Sequence, residues 1–234
     1  MEQKRLAIIP ARGGSKRIPR KNIKAFLGKP ILAYSIEAAL ESELFDTVMV
    51  STDDPEIAEV GKKYGASVPF LRSAENANDT AGTAEALLEV IERYAEQGET
   101  FVEGCCLYAT APFITPEKLR FAYQKMQEDS FDSVFTATRF PSPIQRALRQ
   151  TDAGKIEMIW PENRPKRSQD LEPTYHDAGQ FYWFKSEALQ REKRLFMSNS
   201  GMLEVPTTEV QDIDEPEDWT LAELKYQFWQ QKKS

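Results

Sequence analysis

The apolar positions of this chain come in two rhythms. Leu6 to Pro10 is a short continuous apolar run, the pattern of a buried strand, and Pro10 with the Gly13-Gly14 pair breaks it into a loop. After Pro30 the spacing changes: Ile31, Leu32, Ile36, Ala39 and Leu40 recur as on one face of a helix. Thr47 to Ser51 is β-rich and stops at Thr52-Asp53-Asp54-Pro55, a second helix is expected from about Pro55 to Tyr64, and Gly65 closes it in the left-handed position. A short strand is expected at Val68 to Leu71, followed by Arg72. Asn78-Asp79-Thr80 then opens a helix on which Ala84, Leu87, Leu88, Ile91 and Ala95 share a face, with Asp79 or Thr80 as its cap. Cys105 to Ala109 reads as a central strand that Thr110-Ala111-Pro112 turns away, Thr115-Pro116-Glu117 starts a helix running to about Asp129, and Ser133 to Thr138 is a further strand.

Strands separated by helical patterns predict an α/β fold, a Rossmann-like mostly parallel sheet with helices on both faces. The rhythm fails between Arg139 and Asp177. Pro141, Pro143, Pro161, Pro165 and Pro173 interrupt that stretch, and Arg139, Arg146, Arg149, Arg164, Lys166 and Arg167 make it basic. A loop of that length is either a functional arm or a flexible surface excursion. Strand composition returns over Tyr175 to Phe184, nearly all bulky, and a last helix beginning at Pro216 carries Trp219, Leu221, Ala222, Leu224 and Phe228. The expected division is 1–138 and 178–234 as one α/β domain, with 139–177 inserted as an arm.

Composition narrows the class. With 41% hydrophobic and 29% charged residues, the 234-residue chain is neither disordered nor fibrous. No run approaches the roughly 18 apolar residues of a membrane span, and the first strand begins without the apolar core of a signal peptide, so the cytoplasm is the expected compartment. Cys105 and Cys106 are adjacent, with Cα atoms about 3.8 Å apart, and read as reduced and buried rather than disulfide-bonded. The single histidine, His176, is too little for a zinc site and a poor basis for a Ser-His-Asp hydrolase. It reads either as a proton carrier oriented by Asp177 or as a hydrogen-bonded packing residue.

Charge gives the first pointer to chemistry. The net charge is −7, yet no carboxylate occurs between Glu2 and Glu37, where Arg12, Lys16, Arg17, Arg20, Lys21 and Lys24 gather behind the first strand. Such a loop suits a polyanion, with Gly14 letting backbone N–H groups approach it, although a solvated basic turn has the same composition. It is neither a Walker loop nor a dinucleotide fingerprint, because the glycine spacing of both is absent. One short basic segment in an acidic chain argues against nucleic acid as partner. Asp54 before Pro55 is a natural N-cap, which leaves Asp53 as the candidate site residue at that strand end. Asp212 and Asp214, two apart, would share one face of an extended strand with Ile213 turned to the core; they read either as a pair of hard oxygen ligands suited to Mg²⁺ or as an ordinary acidic approach to a helix cap.

The run Ile9-Pro10-Ala11-Arg12-Gly13-Gly14-Ser15-Lys16-Arg17-Ile18-Pro19-Arg20-Lys21-Asn22 resembles the signature loop of the CMP-sialic acid synthetase family, cytidylyltransferases that activate nine-carbon and related sugar acids with CTP. The resemblance covers almost the whole chain. It implies that Arg12, Gly14, Ser15, Lys16, Lys21 and Asn22 bind the nucleotide, that Arg72 and Thr80 lie beside the cytosine, and that Asp212 and Asp214 hold Mg²⁺. It further implies that the anomeric hydroxyl attacks the α-phosphorus and pyrophosphate leaves, with Arg12, Lys16, Lys21 and Asp214 as catalytic residues. The arm would cross a homodimer partner and deliver Arg167, with Gln145 standing where the sialic enzymes have lysine. Sugar-acid contacts would come from Tyr108, Thr110, Gln180 and Tyr182. Tyr108-Ala109-Thr110-Ala111-Pro112 departs from the usual Gln-Pro-Thr-Ser-Pro, and this, with Ala178 in place of Asn, resembles the branch that activates pseudaminic acid. Another sugar nucleotidyltransferase, or a non-catalytic nucleotide-binding dimerisation module, would share the loop and not the substrate choice.

Overall fold

A six-stranded sheet organises the computed structural model, which describes residues 4–77 and 82–233. Strand β1 (Arg5–Pro10) enters the basic loop, which runs through a single 3₁₀ turn at Lys21–Ile23 into a small hairpin of β2 (Ala25–Phe26) and β3 (Lys29–Pro30). Leu27 (φ 47°) and Gly28 (φ 102°) form its two-residue turn, both left-handed, as a tight hairpin demands. Helix α1 (Ile31–Glu41), strand β4 (Thr47–Ser51), helix α2 (Pro55–Lys63), the short α3 (Ala74–Ala77) and α4 (Thr83–Glu96) follow. Next come β5 (Glu103–Leu107), α5 (Pro116–Glu128) and β6 (Ser133–Arg139). The inserted stretch contains a second hairpin, β7 (Leu148–Gln150) and β8 (Ile156–Met158), before β9 (Tyr175–Lys185), α6 (Ser186–Glu192), β10 (Ser200–Glu204) and α7 (Pro216–Lys233) close the fold.

The strand order is β10-β6-β9-β5-β1-β4. β1 pairs parallel with β4 and β5, and β10 pairs parallel with β6, whereas β9 lies antiparallel between β5 and β6. The sheet is thus mostly parallel, as expected. Alternate residues of β1 feed two cores, as strand geometry requires. Ala7 and Ile9 pack with Leu32 and Ile36 of α1, Ile57 of α2 and Leu119 and Met126 of α5; Leu6 and Ile8 pack on the other face with Leu87 and Val90 of α4 and Leu189 of α6. Burial on both faces explains the unbroken apolar runs of β1 and β5. A third, aromatic cluster joins Ile18 of the loop and Phe26 of the hairpin to Tyr34, Ile213 and Trp219, and so ties α7 to the basic loop.

Several expectations are corrected. Val68 to Leu71 forms no strand: the backbone pairing ends at Ser67, bridged to Met49, because Pro69 lacks the N–H that would continue it. Asn78, Asp79 and Thr80 lie outside the described residues, and α4 begins at Thr83 with Gly82 as its N-cap. The unforeseen α3 is held from the far side: the Glu89 carboxylate accepts from the Ser73 N–H (2.8 Å), the Ser73 hydroxyl (2.9 Å) and the Asn76 amide (2.7 Å). Asp212 and Asp214 stand on an irregular connection rather than on a strand, although Ile213 between them is buried as expected.

Packing between the faces leaves little room at β5. A Cβ on Gly104 would stand 2.5 Å from Cζ of Phe184, its register partner on β9, and 3.3 Å from the Leu6 carbonyl. Gly104→Ala should therefore destabilise by about 1–3 kcal/mol, the usual cost of overpacking. Urea unfolding would measure it, and an unchanged midpoint would mean that Phe184 moves aside freely.

Candidate active site

The basic loop is shaped by contacts that its own cations make with carboxylates from two other segments. Gly13 donates its N–H to Asp53 Oδ1 at 2.9 Å, and a Cβ there would lie 2.7 Å from Asp54 Oδ2, so any larger residue would press on the Asp54 side chain. Arg20 (φ 56°) turns its guanidinium onto Asp54 and Glu56 at the start of α2. Asp54 also caps that helix, accepting from the N–H groups of Glu56 (2.9 Å) and Ile57 (3.1 Å). The cap predicted for Asp54 is observed. Asp53 proves to hold the loop's backbone.

On the opposite side the loop meets the turn before α7. Lys21 Nζ donates to the Ile213 carbonyl at 2.5 Å and lies 3.5 Å from Asp214; Arg17 pairs with Asp214 (3.0 Å) and Glu215 (3.1 Å). The turn is itself pinned by Asp218, whose Oδ2 accepts from the N–H groups of Asp214 (3.0 Å) and Glu215 (2.8 Å). Buried Asn22 donates to the Arg12 carbonyl at 2.9 Å and fixes the loop's return.

Between these walls lies a cleft of about 660 Å³ at the ends of β1 and β5. Arg12, Gly14, Ser15, Lys16, Lys21, Asn22, Arg72, Tyr108, Thr110 and Asp214 all line it, residues spread over more than two hundred positions of sequence and each singled out beforehand. Gly14 has nothing within 4 Å of where a Cβ would be, leaving its backbone open to a ligand. Arg72 is locked on Ser51 through Nε to Oγ (3.1 Å) and Nη2 to the carbonyl (2.6 Å), and burial lowers its pKa. Tyr108 receives the Ser35 hydroxyl on its carbonyl (2.8 Å), and burial raises its phenol's pKa.

Other candidates sit elsewhere. Gln180 is buried with its amide donating to the Glu209 carbonyl (2.6 Å), and Tyr182, equally buried, hydrogen-bonds Asp177 beneath the cleft. Gln145 donates to the Glu172 carbonyl (2.9 Å) and Arg167 pairs with Asp170 (3.1 Å), both on the inserted stretch and neither lining the cleft. Thr80 lies outside the described residues. Asn76 and Thr83 line the cleft without having been predicted; α3 had no periodic signal, and Thr83 reaches the cleft only because α4 starts there.

Asp212 does not line the cleft, and its carboxyl titrates above the usual range, through desolvation first and then the neighbouring charge of Asp214. Asp212 and Asp214 offer hard carboxylate oxygens two residues apart, the donor type that a divalent cation such as Mg²⁺ takes. Among the described residues no group of three or more His, Cys, Asp or Glu could enclose a metal, so substrate oxygens and water would have to complete its shell.

Comparison with known proteins decides the family. A cytidylyltransferase family model matches residues 6–223. The chain belongs to the cytidylyltransferase family. It is 45% identical over 223 residues, 95% of this chain and 96% of the relative, to a pseudaminic acid cytidylyltransferase of Campylobacter jejuni. It is 35% identical, over 93% of this chain and 94% of the relative, to the CMP-N,N'-diacetyllegionaminic acid synthase of Legionella pneumophila. In fold, this cytidylyltransferase is similar to a CTP-bound CMP:2-keto-3-deoxy-manno-octonic acid synthetase, with a TM-score of 0.70 at 20% identity, covering 97% of this chain and 99% of that one. No described helix of this cytidylyltransferase is long and apolar enough to cross a membrane.

The Arg20 contact carries a pH signature. Hydrogen bonding to Arg20 holds the Asp54 carboxyl down at about 2, against 3.8 ordinarily. A depressed carboxylate stabilises the fold above its unfolded pKa and loses that contribution as pH falls through the folded one. Asp54→Ala should cost about 1 kcal/mol near pH 7, the worth of a cap with a partly exposed ion pair. In chemical unfolding the gap to the parent should narrow between pH 4 and 2; a gap that stayed constant would show that the charge on Asp54 is not what matters.

Proposed function

We propose that this cytidylyltransferase transfers CMP from CTP to the anomeric hydroxyl of pseudaminic acid, releasing pyrophosphate. The observation that carries the choice of sugar acid is the 45% identity, over 95% of the chain, to a relative of that name, against 35% for the legionaminic relative. Arg12, Lys16 and Lys21 would neutralise the triphosphate, with Ser15, Asn22 and the Gly14 backbone completing the grip and Arg72 placed towards the base. Asp214 is the one carboxylate among the described residues lining the cleft, and it has little freedom to act as a base while paired with Arg17 and Lys21. The protein's contribution is therefore to align the hydroxyl with the α-phosphorus and to balance charge. Asp212 and Asp214 would hold Mg²⁺, which when bound supplies further positive charge at the phosphates.

A second copy of the chain belongs to this reading. Leu148 (60% exposed), Ile156 (61%), Ile159 (41%) and Trp160 (40%) leave an apolar surface on the inserted hairpin, and Gln145 and Arg167 lie outside their own chain's cleft. A homodimer whose arms cross would cover that surface and let Arg167 serve the neighbour. We place the reaction in the cytoplasm, where CTP is available.

Pyrophosphate release from CTP and Mg²⁺ should occur with pseudaminic acid and be weak or absent with legionaminic and N-acetylneuraminic acids; preference for either of those would overturn the substrate assignment. Asp214→Ala should lower turnover at least a hundredfold, the usual scale for removing one electrostatic group from a reacting centre, while the circular dichroism spectrum is kept. Magnesium-dependent turnover at the parent rate in that variant would remove Asp214 from the metal site.

A further inference from the structure

One face of α7 holds the acidic turn in place. Asp218 and Lys225 are seven residues apart, two turns of helix, and so stand on the same side of it. At one end Lys225 Nζ donates to the Val210 carbonyl (2.7 Å) and to Gln211 Oε1 (3.0 Å). At the other, Asp218 Oδ2 accepts from the N–H groups of Asp214 (3.0 Å) and Glu215 (2.8 Å). Gln211 joins the two: its Nε2 donates to the Asp212 carbonyl (2.9 Å) and to Asp218 Oδ1 (3.3 Å). An ammonium only donates and a carboxylate only accepts, so the Gln211 amide stands in one orientation alone. From the loop side Lys21 takes the Ile213 carbonyl, and the Ile213 side chain is 1% exposed in the aromatic cluster. The backbone is therefore tied at Asp212, at Ile213 and at Asp214.

An ordinary helix cap explains part of this. Glu215 accepts the first helical hydrogen bond, from Trp219 (3.3 Å), and a carboxylate three residues on that returns to the capping N–H is half of a capping box. The cap requires neither the Asp214 N–H nor Gln211 nor Lys225. The Asp214 carboxylate belongs to the cleft wall, 3.0 Å from Arg17 and 3.5 Å from Lys21. We propose that Asp218 is a positioning residue for the cation, acting with Gln211 and Lys225 through the backbone of Asp212 and Asp214 to hold both carboxylates ready. The inference rests on the proposed Mg²⁺ site and deepens it: Asp218 grips the ligands by their main chain and is itself no ligand. A turn ordered beforehand spares the cation the entropy of ordering it.

CTP binding measured by calorimetry without sugar acid, once with Mg²⁺ and once with EDTA, gives the gain in affinity that the cation supplies. Asp218→Ala should lower that gain roughly tenfold, the lesser scale for losing a group that orients metal ligands, while binding in EDTA stays near the parent's. Asp218→Asn keeps an oxygen for the two N–H groups and should hold the gain near the parent's. In an Asp214→Ala background, Asp218→Ala should lower it no further. A reduced melting temperature with an unchanged gain would make Asp218 a cap of α7 only, and a gain as small in Asp218→Asn as in Asp218→Ala would trace the effect to charge. Either result overturns the positioning role and leaves the metal site standing. A gain in Asp214→Ala equal to the parent's would remove the metal site, and the positioning role with it.

Discussion

Like charges crowded on one short loop repel one another, and the architecture of this site follows from how that repulsion is held in check. Arg20 is drawn to Asp54 and Glu56, Arg17 to Asp214 and Glu215, and Lys21 to the Ile213 carbonyl. The N-terminus of α2 and the turn before α7 are thus both anchors for the loop, and each was already suited to the task. A capping aspartate is a carboxylate with its backbone contacts satisfied, so recruiting Arg20 adds a partner without disturbing the helix. Arg12, Lys16 and Lys21 line the cleft between these two anchors, so the positive potential that the loop concentrates faces the cleft from a fixed position.

Electrostatic anchors of this kind are weak individually when solvent reaches them. The firm connection is apolar. Phe26 meets Tyr34, Trp219 and Tyr226 edge-on at 5.5, 5.6 and 5.6 Å, so the small hairpin after the loop, α1 and α7 share one aromatic cluster. Each such pair is worth about 0.5–1.5 kcal/mol beyond its buried area. Ile213, buried in the same cluster, sits between Asp212 and Asp214 in sequence, and the acidic turn consequently cannot drift from the basic loop without opening a hole in the core. Packing sets the distance, and charge tunes what happens there.

Much of this was legible in the chain because local signals and tertiary demands agree. The apolar runs of β1 and β5, the Asp54-Pro55 cap and the Thr115-Pro116 helix start are each determined by a few neighbouring residues, and the structure shows each of them. The basic loop announced its cleft by excluding acids. What stayed hidden depends on residues far apart. The segment after Ser67 has strand composition, but Pro69 removes the donor that pairing needs; α3 exists because Glu89, a full helix away, satisfies its exposed groups. Asp212 and Asp214 were given a strand's alternation although Asp218 draws the N–H groups of Asp214 and Glu215 into a turn. No periodicity reports such contacts.

The direction of β9 accounts for the rest. In a sheet whose other strands run parallel, ligands collect at the carboxyl ends, and a lone antiparallel strand brings its amino end to that same edge. Chain leaving β6 at Arg139 and returning into β9 at Tyr175 must therefore leave and re-enter the sheet at that same edge, whatever its length, since Arg139 and Tyr175 are direct partners in the ladder. The inserted stretch can grow, fold into its own hairpin and expose apolar side chains without disturbing one sheet hydrogen bond. The same reversal places Asp177, only two residues inside the strand, level with Tyr108 at the end of β5. A basic stretch and an acid-tipped strand start arrive at one edge because a single strand runs backwards, while the glycine-basic loop follows β1, three strands from β6, and keeps its own anchors whatever the inserted stretch does.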